Sequence, residues 1–281
     1  MVTVTTRTSL TERLQTFEPQ VVGTTGGQIS YLQSGAPHIT HVLLHGIGSA
    51  SGSWLMQLEA ARHQPAIGVL AWDAPGYSAS TAVAPLMPNA GHYAERLWAW
   101  LDAMGITHPI TLVGHSLGAL MATRAAINQS ARVTGLYLLA PAQGYARVNA
   151  ADREKKLGDR LIQLAQLGAA GFAQQRGAAM VSPGAPPELV AYVQNLMSRI
   201  FPAGYAQAAH MLATGDLLTD LAQVKCPVTV ASGQLDNATP MASCQEVAAA
   251  VNTDWTDLGP VGHACALEAA ARVNALLNLP A

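Results

Sequence analysis

Short apolar runs that alternate with helical patterns constrain the fold of this chain most. Residues 41–44, 69–72, 110–113 and 136–139 are largely apolar runs, each followed by a polar or small residue. Runs of this kind suit strands that are buried on both faces of a parallel sheet. Residues 89–104, between two of these runs, place apolar side chains at helical spacing. The alternation predicts the α/β class, with a mostly parallel, doubly wound sheet that is flanked by helices.

A helical insertion interrupts this alternation. Between residues 150 and 220 the sequence has helical patterns and loops but no candidate strand. We therefore predict that residues 1–144 and 216–281 form one core domain and that residues 145–215 form a helical unit inserted into it. The other predicted elements are a leader over 1–18 with some helix, two short strands around Gly26 and Gly27, strands at 228–231 and 255–258, and helices over 117–127, over 240–250 and from Glu268.

Composition and charge exclude several classes of function. Half of the residues are hydrophobic and only 11% are charged, which excludes a disordered chain. The net charge is −2 and no basic stripe is present, so we expect no nucleic-acid partner. No apolar run is long enough for a membrane span, and residues 1–10 lack the apolar core of a signal peptide, so we expect a cytoplasmic protein. The cysteines form no Cys-x-x-Cys pair, which suggests neither disulfides nor a zinc site; they are Cys226, Cys244 and Cys265.

The motif Gly-His-Ser-Leu-Gly at 114–118 gives the strongest indication of chemistry. A G-x-S-x-G match arises by chance in about one chain in ten of this length, so the motif alone is weak evidence. Its context is specific, because a predicted strand precedes it and a predicted helix follows it, as in a nucleophile elbow. Such a turn holds the Ser116 hydroxyl at the carboxyl edge of the sheet, beside the free N–H groups of a helix start. Ser116 is therefore the candidate nucleophile.

A serine hydroxyl needs a base and an orienting acid to act as a nucleophile. His263 is the candidate base, because it lies between the last predicted strand and the last predicted helix. Asp236 is the candidate acid, because it follows the strand at 228–231 and precedes a helix, although a turn aspartate would fit the same place. His45 and His115 belong to glycine-containing motifs, and we expect them to shape those loops.

A second glycine-rich loop, His-Gly-Ile-Gly at 45–48, follows the early strand at 41–44. A backbone N–H at this place can face the carbonyl group of a substrate. We predict that the N–H groups of Ile47 and Leu117 form an oxyanion hole. The alternative is a glycine turn that only lets the chain leave the strand.

These motifs, taken in order, resemble those of the α/β-hydrolase superfamily. The likeness is carried by the loop at 45–48, the Asp-Ala-Pro-Gly-Tyr-Ser-Ala-Ser segment at 73–80, the motif at 114–118, and the segments around Asp236 and His263. The chain order of nucleophile, acid and base is also the order of that superfamily. The resemblance implies an α/β-hydrolase fold in which the inserted helical unit is a lid.

Within the superfamily, the chain is similar to the lidded group of small carboxylesterases, enol-lactone hydrolases and carbon–carbon bond hydrolases of aromatic degradation. Related dehalogenases and epoxide hydrolases carry aspartate at the place of Ser116, which speaks against both. The carbon–carbon bond hydrolases typically carry tryptophan directly after the catalytic histidine, where this chain has Ala264. This departure weakens the case for ring-fission products as substrates.

The resemblance implies a serine hydrolase that cleaves an ester, a lactone or a related carbonyl compound through an acyl-enzyme on Ser116. We expect a small, partly apolar substrate, no cofactor, no metal and no membrane partner, in a monomer or homodimer. The alternatives are a carbon–carbon bond hydrolase, a cofactor-free dioxygenase, a hydroxynitrile lyase and a ligand sensor. Apolar residues of the insertion are expected to line the pocket or to attach the insertion to the core; they are Leu161, Leu164, Phe172, Tyr192, Met197, Phe201, Tyr205 and Met211. Arg160 or Arg199 could bind a carboxylate, but we expect each to lie solvated at the surface.

Overall fold

An eight-stranded sheet forms the centre of the computed structural model, which describes residues 8–280. In chain order its strands are β1 (Gln20–Thr24), β2 (Gly27–Gly35), β3 (Ile39–Leu44), β4 (Gly68–Trp72), β5 (Ile110–His115), β6 (Val133–Leu139), β7 (Val228–Ser232) and β8 (Trp255–Asp257). The spatial order is β1-β2-β4-β3-β5-β6-β7-β8. β2 pairs antiparallel with both β1 and β4, and all the other pairs are parallel. The predicted, mostly parallel sheet is confirmed.

Helices flank this sheet. In the described residues they are α1 (Leu10–Leu14), α2 (Leu55–Ala61), α3 (Ala90–Ala103), α4 (Gly118–Asn128), α5 (Ala150–Gly177), α6 (Pro187–Met197), α7 (Pro202–Thr214), α8 (Leu217–Leu221), α9 (Met241–Ala250), α10 (Cys265–Glu268) and α11 (Ala270–Leu276). Short 3₁₀ turns occur at Ser51–Trp54, Ser130–Arg132 and Ala178–Met180.

The central strands bury both of their faces, which makes the sheet doubly wound. Successive residues of a strand point to opposite sides, so β3 contributes to two separate cores. Val42 and Leu44 pack with Leu97 of α3 in one core, whereas Leu43 packs with Leu58 of α2 in the other. All five side chains are fully buried. This explains why the strands read as continuous apolar runs rather than as alternating ones.

The two ends of the chain differ in detail from the sequence prediction. One helix is predicted from Glu268, but α10 already ends there, and Ala269 has non-helical dihedral angles (φ −111°, ψ 37°) that separate it from α11. Of the predicted leader over 1–18, residues 1–7 lie outside the described residues. The rest contains α1, whose N-terminus is closed by a capping box between Ser9 and Glu12.

The segment between β6 and β7 contains only helices and loops in the structure, as the sequence predicts. Helix α5 is bent at Gly168, which has φ +63°, and both α6 and α7 pack against α5. The short helix α8 packs on α4 instead, where Asp220 forms an ion pair with Arg124. We call α5, α6 and α7 the insertion helices. The division at 145 and 215, and the role of this unit as a lid, stay predictions.

Candidate active site

Ser116 lies on a sharp turn between β5 and α4. Its φ of +53° is in the left-handed region, which a residue with a side chain occupies only when its surroundings impose it. The Ser116 N–H donates to Leu139 O at 3.0 Å, and its carbonyl accepts from Ala142 N at 3.1 Å and from Ala119 N at 3.0 Å. Both main-chain groups of the serine are thus fixed, and the side chain is left at the carboxyl edge of the sheet.

The two glycines of the motif are required by close backbone contacts. A Cβ atom on Gly114 would lie 2.5 Å from Gly118 O, and a Cβ atom on Gly118 would overlap Leu44 O. No larger residue fits at either place without moving the main chain of β3 or α4. The glycines therefore let β5, the turn and α4 pack tightly enough to hold Ser116 in its unusual conformation.

Asp236 and His263 form a buried pair beside this turn. Asp236 follows β7 and His263 follows β8, and the His263 Nδ1 lies 2.8 Å from the Asp236 Oδ2. A carboxylate oxygen can only accept, so Nδ1 carries a proton, and in the neutral imidazole the lone pair is then on Nε2. Burial alone raises the pKa of Asp236, but hydrogen bonds from His263 and Thr239 outweigh burial, and the pKa lies below its ordinary value.

Thr239 completes this pair and was not identified from the sequence. Its N–H donates to Asp236 Oδ1 at 2.9 Å, and its hydroxyl lies 2.8 Å from Asp236 Oδ2, 3.0 Å from Ala140 O and 3.3 Å from His263 Nδ1. The Ala238 N–H also donates to Asp236 Oδ1, at 2.8 Å. The carboxylate is thus oriented by the N–H groups of Ala238, Thr239 and His263, and the Thr239 hydroxyl shares its one proton between Asp236 Oδ2 and Ala140 O. The signal in the sequence was the run of turn residues after β7.

The loop at 45–48 lies directly against the serine turn. A Cβ atom on Gly46 would lie 3.1 Å from the Ser116 Cβ. Burial lowers the pKa of His45, and its neutral ring accepts from the Ala74 N–H at Nε2 (3.0 Å) and donates from Nδ1 to Gly46 O (2.8 Å). In a trans peptide the C=O and the next N–H point in opposite directions, so the Ile47 N–H points away from His45.

The predicted oxyanion donors are available. Within residues 8–280, neither the Ile47 N–H nor the Leu117 N–H donates to another protein group. Both residues line the same cavity as Ser116 and His263. Two free N–H groups beside a serine at a helix start form a suitable environment for developing negative charge.

The cavity has a volume of about 350 Å³ and is largely apolar. Its floor is formed by the ends of the strands, and its other wall comes largely from the insertion helices. Residues of that wall include Phe172, Val193, Leu196, Met197, Tyr205 and Leu212. Within residues 8–280, the hydrogen bonds of the His263 ring go to Asp236 and Thr239, and the Ser116 hydroxyl makes none to it.

The sequence expectations for the insertion are met in part. Of the apolar residues predicted as wall or packing, Phe172, Met197 and Tyr205 line the cavity. Leu164, Tyr192 and Met211 are buried in the cores instead, and Phe201 is exposed. Arg199 is exposed, as expected. Arg160 is not a solvated surface residue, because it is half-buried and lines the cavity.

The described residues are also predicted to hold neither a metal site nor a membrane span. Within residues 8–280, no group of three or more histidine, cysteine, aspartate or glutamate side chains is placed to hold a metal ion. No helix of the same residues is long and apolar enough to cross a membrane.

Comparison with known proteins gives the family. The model of the alpha/beta hydrolase family matches residues 42–276, and the chain belongs to this family. The chain is 27% identical over 254 residues to RutD, a proposed carbamate hydrolase, of Escherichia coli strains O103:H2 and K12, with 84% of this chain and 88% of the relative covered.

Solved structures share the fold. A thermophilic esterase from Thermogutta terrifontis superposes with a TM-score of 0.79 at 20% identity, covering 93% of this chain and 97% of the esterase. The enol-lactonase of Burkholderia xenovorans LB400 superposes with a TM-score of 0.78 at 20% identity, covering 92% and 98%. The chain is thus a hydrolase of the α/β fold, and its bond and substrate are not fixed by these similarities.

Proposed function

We propose that this protein is a serine hydrolase that cleaves an ester or a lactone through an acyl-enzyme on Ser116. The observation that carries the proposal is the arrangement around one cavity. A strained serine, a histidine paired with a buried aspartate, and two unpaired backbone N–H groups all meet there. Each is suited to one role in acyl transfer: nucleophile, base with its orienting acid, and oxyanion donor.

In the first half of the reaction, His263 Nε2 takes the hydroxyl proton of Ser116, and the Oγ atom forms a bond to the carbonyl carbon. The charge on the carbonyl oxygen is stabilised by the N–H groups of Ile47 and Leu117. Loss of one such donor raises the barrier by about 3–4 kcal/mol in hydrolases of this kind. The imidazolium that forms on His263 is stabilised by the carboxylate of Asp236, at 2.8 Å.

In the second half, the bond to the leaving oxygen breaks, and this oxygen takes the proton from His263 Nε2. A water molecule then attacks the acyl-enzyme and gives up a proton to the same nitrogen. The bond between Ser116 Oγ and the acyl carbon then breaks, Oγ takes this proton back from His263 Nε2, and the carboxylic acid product is released. His263 is thus base and acid in turn, which requires a free Nε2 and a protonated Nδ1.

The similarities to known proteins support the class of substrate. Two structures that share the fold are described as an esterase and an enol-lactonase. The similarity to RutD adds a carbamate to the substrates that deserve testing. The apolar cavity wall fits a small, partly apolar acyl compound.

Labelling with a fluorophosphonate probe tests the nucleophile. The wild-type protein should be labelled and should hydrolyse p-nitrophenyl acetate, whereas Ser116→Ala should lose both the label and the turnover. Ser243→Ala is the matched control, because Ser243 lines the same cavity but lies on a regular helix. The control variant should keep the label. Labelling of Ser116→Ala at the wild-type level would overturn the proposal.

A further inference from the structure

Helix α5 brings three basic side chains to the wall of the active-site cavity. They are Lys156, Arg160 and Arg176. None of the residues that line this cavity is an aspartate or a glutamate. A mostly apolar cavity therefore carries a local excess of positive charge, in a protein whose net charge is −2.

Neutral groups are the partners of these cations. Arg160 donates to the Tyr205 hydroxyl at 2.9 Å and to the Tyr145 hydroxyl at 3.4 Å. Arg176 donates to the Gln163 Oε1 at 3.1 Å. Within residues 8–280, neither arginine forms an ion pair.

Acidic residues of the same helix do not neutralise the two arginines. Asp159 is adjacent to Arg160 in the sequence, but its carboxylate is bonded to Lys155 at 2.6 Å. Burial lowers the pKa of the Arg176 guanidinium, and the charge of Arg160 lowers it further. Both guanidinium groups are half-buried and line the same cavity, and two like charges at such a place favour the binding of an anion.

Arginine is suited to carboxylates because its planar guanidinium can donate two parallel hydrogen bonds. The same cavity is also lined by Ser116 and His263 from the strand ends and by apolar side chains such as Phe172, whose ring lies 5.3 Å from the Arg176 guanidinium. A ligand that fills it would place a carbonyl at the serine, a short apolar part in the middle and an anionic group at the arginines.

We propose that the substrate is an ester or lactone that also carries a free carboxylate, which Arg160 and Arg176 bind. This inference rests on the proposed function for the identity of the bond that is cleaved. The binding of a carboxylate is supported independently by the basic side chains of the cavity wall. Bond cleavage and carboxylate binding can therefore be tested separately.

Paired substrates test the preference for an anion. The first pair is mono-p-nitrophenyl adipate and its neutral methyl ester; the second is 4-acetoxybenzoate and its methyl ester, with the carboxylate on the leaving group. In one pair or both, we expect a kcat/KM for the anion about tenfold or more above that of the neutral ester, as one lost contact to a charged group would give. Arg160→Gln should lower this ratio about tenfold. Equal rates within both pairs would overturn the proposal.

Arg199→Gln is the matched control, because Arg199 is an exposed arginine of the segment after α6 and does not line the cavity. This variant should keep the wild-type ratio. An equal fall of the ratio in Arg160→Gln and Arg199→Gln would assign the effect to overall charge and contradict the proposal. The double variant Arg160→Gln, Arg176→Gln should lose the preference altogether.

A binding measurement separates this proposal from the proposed function. In Ser116→Ala, which cannot turn over, adipate should raise the melting temperature and neutral adipamide should not, and Arg160→Gln in the same background should abolish the shift. If the wild-type protein hydrolyses no ester but adipate binds through Arg160, the proposed function fails and the carboxylate site stands. No shift with adipate, or a larger shift with inorganic phosphate, would overturn the carboxylate site.

Discussion

The imidazole of His115 holds the main chain of His263, with its Nε2 at 2.8 Å from the His263 carbonyl oxygen. A carbonyl oxygen can only accept, so Nε2 of His115 carries a proton. The residue directly before the proposed nucleophile therefore positions the residue that provides the proposed base. This buried contact joins the end of β5 to the loop after β8.

This contact makes stability depend on pH. Burial and the neighbouring His263 lower the pKa of His115 to about 3. Its ordinary pKa is about 6.5, so between these values the unfolded chain binds a proton that the folded chain excludes. The contribution of neutral His115 to the free energy of unfolding is therefore complete above about pH 6.5 and is lost as the pH falls towards 3. From pH 7.5 to 5, the free energy of unfolding should decrease by about 2 kcal/mol through this group.

Urea unfolding at the two pH values measures this effect. His115→Gln keeps a side-chain N–H donor and removes the titration, so its stability should change less with pH than that of the wild-type protein. His63→Gln is the control for the loss of an exposed histidine. Equal pH dependence in His115→Gln and the wild-type protein would show that the buried imidazole does not contribute.

Replacement of the proposed acid tests the role of the His263–Asp236 pair. Asp236→Asn should lower kcat for p-nitrophenyl acetate by about 10⁴-fold, because an amide no longer fixes the tautomer with a free Nε2. KM should change little, since Asp236 does not line the cavity. Asp254→Asn removes an exposed carboxylate and should keep wild-type activity. A fall in kcat of less than tenfold in Asp236→Asn would contradict the assignment.

The hydroxyl of Thr239 should support the same pair. It lies within 3.3 Å of both Asp236 Oδ2 and His263 Nδ1, so Thr239→Val removes a hydrogen bond to a charged group. Such a bond contributes about 1.5–3 kcal/mol, and we expect kcat to fall about tenfold or more. Thr239→Ser keeps the hydroxyl and should restore most of the activity. Equal kcat values in the two variants would exclude a positioning role.

Sequence patterns predicted the sheet and the five candidate positions because both depend on local signals. A buried parallel strand appears as an apolar run, and polar residues directly after such strands must meet at one edge of the sheet. Ser116, Asp236 and His263 could therefore be placed from their positions relative to predicted strands alone. Ile47 and Leu117 followed from the same reasoning about strand ends.

Other features depend on contacts between distant segments and could not be read from the sequence. His115 binds a carbonyl 148 residues further along the chain, and no local pattern indicates such a pairing. Arg160 stands on an amphipathic helix among charged residues and has the pattern of a surface residue. Only the packing of α5 against α7, which brings Tyr205 to its guanidinium, places it in the cavity.

The glycines of the serine turn provide a test of the local packing. A Cβ atom on Gly118 would overlap the main-chain oxygen of Leu44, so Gly118→Ala should lower the free energy of unfolding by about 2–3 kcal/mol. Gly158 is the matched control, because it also lies in a helix, and a Cβ atom there would meet nothing within 4 Å. Gly158→Ala should leave stability unchanged or raise it by up to about 1 kcal/mol, since alanine favours the helix. Urea unfolding measures the free energy of unfolding of both variants. Equal values for Gly118→Ala and Gly158→Ala would mean that the tight contact between α4 and β3 is absent.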